Sequence, residues 1–299
     1  MTAPMDPTVV SDGAAPVEAG TSRRDLHMED RILVDLGIRL FGVFDGVGAG
    51  AHGAEAASAA VNAVHDAVFE SLKQARHPPS VRAAQELLAG ALLRADEAIR
   101  TLNDQHEGVL SDATTAALVL MFRPQRLPAP DYLAVIATVG DSRVQLLRSG
   151  GFFTLTLDHS LLGDGELSDI TDIAEAKARQ DRLDEARSLD DLTAPLDRAA
   201  FNHRNLISSA LDGSGHANAR FYALRLVPGD RLLIDSDGVH DNLRASELAV
   251  LAQGLPSPRR TAARITTAAW EHSQQNPPSD GRVKPDDISI VVIDVGDDD

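Results

Sequence analysis

Apolar residues recur along this chain with two periods, and the switches between them divide it into elements. Residues 38–46, IRLFGVFDG, form an almost continuous apolar run closed by Asp-Gly, which predicts a buried strand ending in a turn. Residues 53–75 then place Ala57, Val61, Val64, Val68 and Leu72 at helical spacing. A second helix opens at Ser80, a residue suited to cap it, and aligns Val81, Ala84, Leu88, Leu92, Ala95, Ile99 and Leu102 on one face. Two amphipathic helices in succession predict a pair lying on a sheet.

The centre of the chain has strand character. TTAALVLMF, YLAVIATVG, SRVQLLRS and GFFTLTL are short runs rich in β-branched residues, divided by turn signals at Pro128-Ala129-Pro130, Gly140-Asp141 and Gly150-Gly151. Residues 161–199 differ: they are dense in Asp, Glu and Arg, and predict one or two exposed helices in a loop-like excursion. RFYALRL and RLLIDSDGV restore the strand pattern, and Pro228-Gly229-Asp230 between them predicts a hairpin, as Gly140-Asp141 does earlier. Helices follow over about 245–253 and from Ser257-Pro258, where Pro suits the first helical position. DDISIVVIDV predicts a last strand. Hairpin-like strands with paired helices favour an α+β layered sandwich over a βαβ repeat.

Composition narrows the chemistry. Of 299 residues 43% are apolar, enough for one large domain, and no linker interrupts the periodic segments. Lys and Arg total 28 against 45 Asp and Glu, a net charge of -17, which disfavours nucleic acid as a partner. The absence of cysteine excludes disulfides, thiolate metal sites and a cysteinyl-phosphate mechanism, and fits a cytoplasmic location. Residues 1–22 lack the basic start and apolar core of a secretory signal and predict a disordered tail before a domain spanning 23–299. No apolar run is long enough to cross a membrane.

The carboxylates fall in a pattern. Asp45 ends LFGVFDG, Asp141 occupies the turn between two strands, Asp237 ends LLIDSDG with Asp241 four residues on, Asp286 and Asp287 precede the last strand, and Glu29 and Asp30 precede the first. Each alone is explained by the preference of Asp for turns. Together, at strand ends of one sheet system, they predict convergence. Unit charges about 4 Å apart repel by roughly 4 kcal/mol at an effective dielectric near 20, so such a cluster calls for cations. Ligands that are all oxygen suit Mg²⁺ or Mn²⁺ rather than zinc. His52, His159 and His240 lie beside these motifs, but their spacing matches no zinc pattern.

MED (28–30), FGVFDGVG (41–48), TTA (114–116), VGDSR (139–143), LDHS (157–160), SDGVHDNL (236–243) and DDISIVVIDV (286–295) occur in order. The series resembles the metal-dependent Ser/Thr protein phosphatases of the type 2C family, bacterial branch, over about residues 23–295. The resemblance implies a four-layer αββα sandwich, two antiparallel sheets flanked by helix pairs. It implies hydrolysis of phosphoserine and phosphothreonine by water activated between two Mn²⁺ or Mg²⁺ ions, with a third ion at a weaker site. Carried over by motif, Asp45 bridges the two ions and the Gly46 carbonyl is a ligand of the second. Asp237 and Asp286 bind the first, Glu29 and Asp30 hold the second, and Asp141 and Asp241 contribute to the third. Asp45 and Asp237 are thereby also the catalytic aspartates. The implied partners are phosphorylated proteins, substrates of a Ser/Thr kinase, met by a monomer without nucleic acid or membrane.

Three departures stand out. The family's phosphate-binding Arg precedes the Glu by four residues, a position held here by Asp25; a one-residue shift assigns the role to Arg24. Ala113 replaces a usual Gly. The acidic flap at 161–199 is longer than usual, which bears on substrate selection. Two other functions fit some of the residues: a catalytically silent phosphoprotein-binding module on the same fold, and a haloacid-dehalogenase-type phosphatase using Asp235 as nucleophile in LLIDSDGV. The second conflicts with position, since that signature opens its domain and only about sixty residues follow here.

Overall fold

The strand Ile288–Val295 is apolar on both faces, and the two faces enter different cores. Ile288, Ile290 and Val292 pack into one cluster, Val291, Ile293 and Val295 into another. The strand Ala116–Phe122 repeats the arrangement. Ala116, Leu118, Leu120 and Phe122 face a third cluster, and Ala117, Val119 and Met121 share the core that Val291 enters. Alternation with a period of two sends successive side chains to opposite faces, so strands apolar at every position belong at the centre of sheets covered on both sides. Full burial of each such side chain contributes about 1.5–3 kcal/mol. Two sheets face to face with helices outside each satisfy all three clusters.

The computed structural model describes residues 17–48, 52–105, 112–124, 131–160, 172–275 and 281–296. In chain order the strands are β1 (Val17–Arg24), β2 (Arg31–Asp35), β3 (Leu40–Phe44), β4 (Gly46–Val47), β5 (Ala113–Thr114), β6 (Ala116–Phe122), β7 (Tyr132–Val139), β8 (Arg143–Arg148), β9 (Gly151–Thr154), β10 (Arg220–Leu226), β11 (Arg231–Asp235) and β12 (Ile288–Val295). The helices are α1 (His52–Gln74), α2 (Val81–Asn103), α3 (Ile173–Glu185), α4 (Pro195–Asn202), the single turn α5 (Asp237–His240), α6 (Ala245–Ala252) and α7 (Pro258–Ser273). Of the two five-stranded antiparallel sheets one runs β1-β12-β11-β8-β9 and the other β10-β7-β6-β3-β2, and β4 pairs separately with β5. Helices α1 and α2 cover the second sheet, α6 and α7 the first. The fold is the expected α+β sandwich of two antiparallel sheets with helices outside.

Four expectations are corrected. The turns at Gly140-Asp141 and Pro228-Gly229-Asp230 are not hairpins: β7 and β8 lie in different sheets, as do β10 and β11. Both turns are corners where the chain crosses the sandwich, and the first carries Asp141 to the sandwich end. Gly140 makes that corner with φ +90°, and a Cβ there would lie 2.6 Å from the Thr115 side chain. The predicted tail over 1–22 is too long, because β1 pairs with β12 from Val17↔Val295 to Arg24↔Ile288. VEAGTSRR has too few apolar residues to announce a strand, and its partner supplies the burial.

The flap helices α3 and α4 are not simply exposed. Arg179, Gln180, Asp184 and Asp197 are buried. Asp197 pairs with Arg179 at 3.1 Å and Arg182 at 2.7 Å, and Asp184 with Arg143 at 3.0 Å. The inner side of this flap combines these charge pairs with a small apolar cluster of Ala186, Leu192 and Phe201, a mixture that leaves little hydrophobic period to detect. Residues 161–171 of the predicted flap lie outside the described residues. Among the described residues no helix is long and apolar enough to cross a membrane.

Candidate metal centre

The predicted acids converge at one end of the sandwich. Burial first, and then the charges of Asp30, Asp237, Asp286 and Asp141, push the Asp45 carboxyl well above the usual carboxylate range. Asp141 is raised likewise, by burial and then by Asp237 and Asp158, with Asp241 adding to the effect. Burial lifts Asp30 to about 7, with Asp287 and Asp237 acting in the same direction against hydrogen bonds from two serines. Glu29 is raised by burial, and Asp287 and Asp286 add to the shift. Five separated stretches of sequence thus share one electrostatic site.

Motif residues that bear no ligand hold this cluster in shape. Asp45 follows β3, and its backbone is clamped by the Thr-Thr pair: the Thr115 N–H donates to the Asp45 carbonyl at 2.8 Å, the Thr114 hydroxyl donates to the same oxygen at 2.8 Å, and the Asp45 N–H donates to the Thr115 hydroxyl at 3.1 Å. Thr115 also bonds Ser142 at 2.7 Å, which ties this strand end to the Asp141 corner. His159 braces the corner, since its N–H donates to the Gly140 carbonyl at 3.1 Å and its ring bonds the same peptide. Arg143 reaches Asp158 with two hydrogen bonds, 2.8 and 2.6 Å. GDSR and LDHS are therefore one cross-linked unit.

The other side of the site is organised around serines and Asp287. The Ser236 hydroxyl donates to Asp30 Oδ2 at 2.8 Å and accepts from the Ser289 N–H at 3.1 Å. Asp287 accepts from the N–H groups of Leu26, His27, Glu29 and Asp30, and these bonds hold its carboxyl below the usual range despite burial. Gly46 is pressed so close to the Gly53 carbonyl that a Cβ would come within 2.3 Å of it, while the Gly53 side of the contact approaches the Glu29 carboxyl. Glu29 and the Gly46 backbone are neighbours for that reason.

Two cations meet the cluster. Lys284 Nζ contacts Asp237, Asp286 at 3.1 Å and Asp241 at 3.5 Å. Arg204 lies 3.3 Å from Asp241. Burial raises Asp237 and Lys284 partly reverses this; Asp241, also buried, ends below its ordinary value because Lys284, Arg204 and Arg282 outweigh desolvation. Lys284 and Asp287 were not among the predicted site residues. A lysine two positions before an expected ligand, Asp286, carries no motif signal, and Asp287 looked like one more strand-edge acid.

Arg24 does not join the site. Alternation along β1 turns Ser22 and Arg24 toward α7, where Ser22 bonds Thr266 at 2.7 Å and Arg24 reaches Thr267 at 3.5 Å and stacks over Trp270. Arg23 takes the opposite face, pairs with Asp25 at 2.7 Å and donates to the Asp30 carbonyl at 3.3 Å. It is the arginine nearer the cluster. The haloacid-dehalogenase reading fails on two counts: the sheets are antiparallel, and Asp235 is buried with Oδ1 2.6 Å from His240 Nδ1, engaged as a structural partner.

The donors suit hard divalent cations. Asp30 Oδ1 and Asp237 Oδ1 are buried oxygens with no hydrogen-bond partner among the described residues, and Asp241 Oδ2 faces the Lys284 ammonium at 3.5 Å. Oxygens left so are costly unless a cation completes them. Among the described residues no three acids or histidines already stand at metal-holding spacing. Lys284 lies within the cluster.

The profile of the family described as protein phosphatase 2C matches residues 13–276. The chain belongs to that family. Protein phosphatase PhpP of Streptococcus pneumoniae is 27% identical over 132 residues, 44% of this chain and 45% of that protein, so this chain spans under half the length of that curated relative. Among solved structures, the PPM Ser-Thr phosphatase MsPP from Mycobacterium smegmatis, in complex with cacodylate, has a TM-score of 0.65 at 25% identity, covering 93% of this chain and 98% of that one. The catalytic domain of PstP in complex with two manganese ions has a TM-score of 0.66 at 20% identity, covering 94% and 99%, a likeness of fold.

Proposed function

We propose that this protein is a metal-dependent phosphatase that hydrolyses phosphoserine and phosphothreonine in phosphorylated proteins, the substrates of a Ser/Thr kinase. The observation that carries the proposal is the convergence of Asp30, Asp45, Asp141, Asp237 and Asp286 on one site, where burial and then the neighbouring carboxylates raise Asp30, Asp45, Asp141 and Asp237. The protein acts as a cytoplasmic monomer, and uses Mn²⁺ or Mg²⁺, two ions with a third at a weaker site. Two manganese ions in the PstP catalytic domain, a protein of the same fold, support the pair.

Asp45, Asp237 and Asp286 would hold the ions together with Glu29, Asp30 and the Gly46 carbonyl, and Asp141 and Asp241 would serve the third. Bound ions of this kind supply a water activated near neutral pH and offset charge on phosphoryl oxygens. The chain's own residues fix the geometry. The Thr114–Thr115 clamp keeps Asp45 aimed, the Ser236 hydroxyl holds Asp30 Oδ2, and Asp287 sets the path of the Glu29 backbone. Arg23 offers its guanidinium at the mouth for the substrate phosphate, a geometry in which arginine outperforms lysine.

Release of phosphate from p-nitrophenyl phosphate and from phosphoserine peptides by the purified protein with Mn²⁺ tests the proposal. A folded, metal-loaded protein without turnover on either substrate would be the silent binding module instead.

A further inference from the structure

The buried face of helix α2 carries one carboxylate among apolar residues. Asp96 is only 4% exposed and stands on that face with Ala95 and Ile99, which are fully buried. Aspartate is a poor residue for a helix interior, and a buried carboxylate is costly unless donors surround it. Three backbone donors do so. The N–H groups of Asp212 and Gly213 donate to Oδ1 at 3.1 and 2.9 Å, and that of Gly215 donates to Oδ2 at 2.8 Å. Gly213 and Gly215 take the left-handed backbone, φ +82° and +77°, and a Cβ at Gly213 would lie 2.6 Å from the Arg100 Cα. Asn103 lies two turns further along the same face of α2. Its side-chain amide donates to the carbonyls of Asp212 at 2.9 Å and Asp112 at 3.2 Å, and its Oδ1 accepts from the Asp112 N–H at 2.9 Å. One helix face thus holds two segments, the loop that ends the flap and the approach to β5. Between these anchors Leu211 and Thr114 exchange two backbone hydrogen bonds, each 2.9 Å. Thr114 is the residue whose hydroxyl donates to the Asp45 carbonyl at 2.8 Å.

We propose that Asp96 is a positioning residue for the metal centre: it fixes the loop at 211–215 against α2 and, through the Leu211–Thr114 pair, holds Asp45 in aim. This rests on the metal-centre reading above. After Leu211 the loop reads Asp-Gly-Ser-Gly, with no apolar side chain to pack, so hydrogen bonds set its position. Its two glycines give the segment wide backbone freedom once those bonds are lost. Because Leu211 and Thr114 meet backbone to backbone, a shift of the loop moves the Thr114 peptide and with it the hydroxyl that reaches Asp45. The flap returns to the sandwich at this loop. The path of the flap and the aim of Asp45 are therefore set by one carboxylate.

Amide hydrogen exchange in chelator and calorimetric titration with Mn²⁺ test this on wild type, D96A, D96N, T114V and the double variant of D96A with T114V. In metal-free D96A the amides of Asp212, Gly213 and Gly215 lose protection. Those of Thr114 and Thr115 exchange at least about tenfold faster, a larger change than at Ile290 and Val292 of β12. D96A and T114V each bind Mn²⁺ about tenfold more weakly than wild type, and the double variant binds no more weakly than the worse single one, as for residues acting through one path. D96N keeps an acceptor for Asp212 and Gly213 and shows the same pattern at smaller size; with its own T114V double variant it carries the test if D96A does not fold. Loss of protection confined to 212–215, with Thr114 and Thr115 exchanging as in wild type and Mn²⁺ affinity unchanged, makes Asp96 a local anchor and overturns the inference while the metal centre stands. Additive losses of affinity in the double variant overturn it equally. No Mn²⁺ binding by wild type removes the metal centre and the inference together.

Discussion

The carboxylate of Asp287 receives the backbone N–H of Glu29 at 2.6 Å, and so an acid just before the last strand positions another from a loop 258 residues earlier. The same carboxylate accepts from His27 at 2.6 Å and from Leu26 and Asp30. Asp287 is spent on backbone, which separates its part from that of its neighbour Asp286. D287A takes the acceptor from all four donors and should cost about 3 kcal/mol, since hydrogen bonds to charged groups contribute about 1.5–3 kcal/mol each. D287N retains one acceptor oxygen and falls between the two. Denaturant unfolding gives the stability, and calorimetry should give a weaker Mn²⁺ affinity in D287A. Unchanged metal affinity in D287A would separate the loop from the site.

Asp45 ought to show opposite effects on stability and activity. Burial and four neighbouring carboxylates make its ionised form unfavourable in the metal-free protein. D45N removes that repulsion while keeping the shape. The metal-free variant should melt about 3–5 °C higher than wild type, and its metal-loaded turnover should fall by about three orders of magnitude. Calorimetry in chelator and a phosphoester assay in Mn²⁺ read the two. Near-normal turnover would contradict Asp45 as the shared ligand.

How much of this was legible in the sequence depended on the kind of signal. Strands such as β6 and β12 are apolar at every position, and helices α1 and α2 carry a stripe, so periodicity located them. The clustered aspartates stood at strand ends inside recognisable words. What failed was information that lies between elements. Gly140-Asp141 has the composition of a hairpin turn, and only the pairing of β8 with β11 makes it a corner between sheets. Arg23 and Arg24 are adjacent and alike in type, and the strand's register alone separates them. Lys284 resembles any surface lysine until Asn242 fixes its backbone and the acids close around its tip.

The metal-free protein should lose stability as pH rises through the neutral range. Burial and neighbouring acids raise the Asp30 carboxyl from 3.8 to about 7. Between those values the folded protein keeps a proton that the unfolded chain has released, so the unfolded state binds fewer protons and stability falls with rising pH. His65 adds the same sign above 6.5: burial lowers it, but Asp35 and Asp66 outweigh that and raise it, so its contribution is lost as pH climbs past its folded value. A comparison with D30N isolates the carboxyl. We expect the melting temperature in chelator to fall by about 5 °C from pH 5 to 7.5, with a shallower slope in D30N and in saturating Mn²⁺. A flat or rising profile for the metal-free wild type would contradict the burial of Asp30 as a shared, cation-seeking group.

The two adjacent arginines should part company in kinetics. Arg23 faces the cluster, bonding the Asp30 carbonyl at 3.3 Å and Asp25 at 2.7 Å, and its guanidinium can turn from Asp25 to a phosphate without moving the strand. Arg24 spends itself on Thr267 and the Trp270 ring of α7, so its loss removes a surface contact worth about 0.5–1 kcal/mol. R23A should therefore raise KM for phosphopeptides by about tenfold or more, the cost of losing one charge-assisted pair, with a smaller change in kcat. R23K should recover only part of the loss, because an ammonium cannot make the forked contact. R24A should lower the melting temperature slightly and leave KM in place. The reverse pattern, a KM effect confined to R24A, would restore the one-residue shift in alignment and require β1 to present its other face to the substrate.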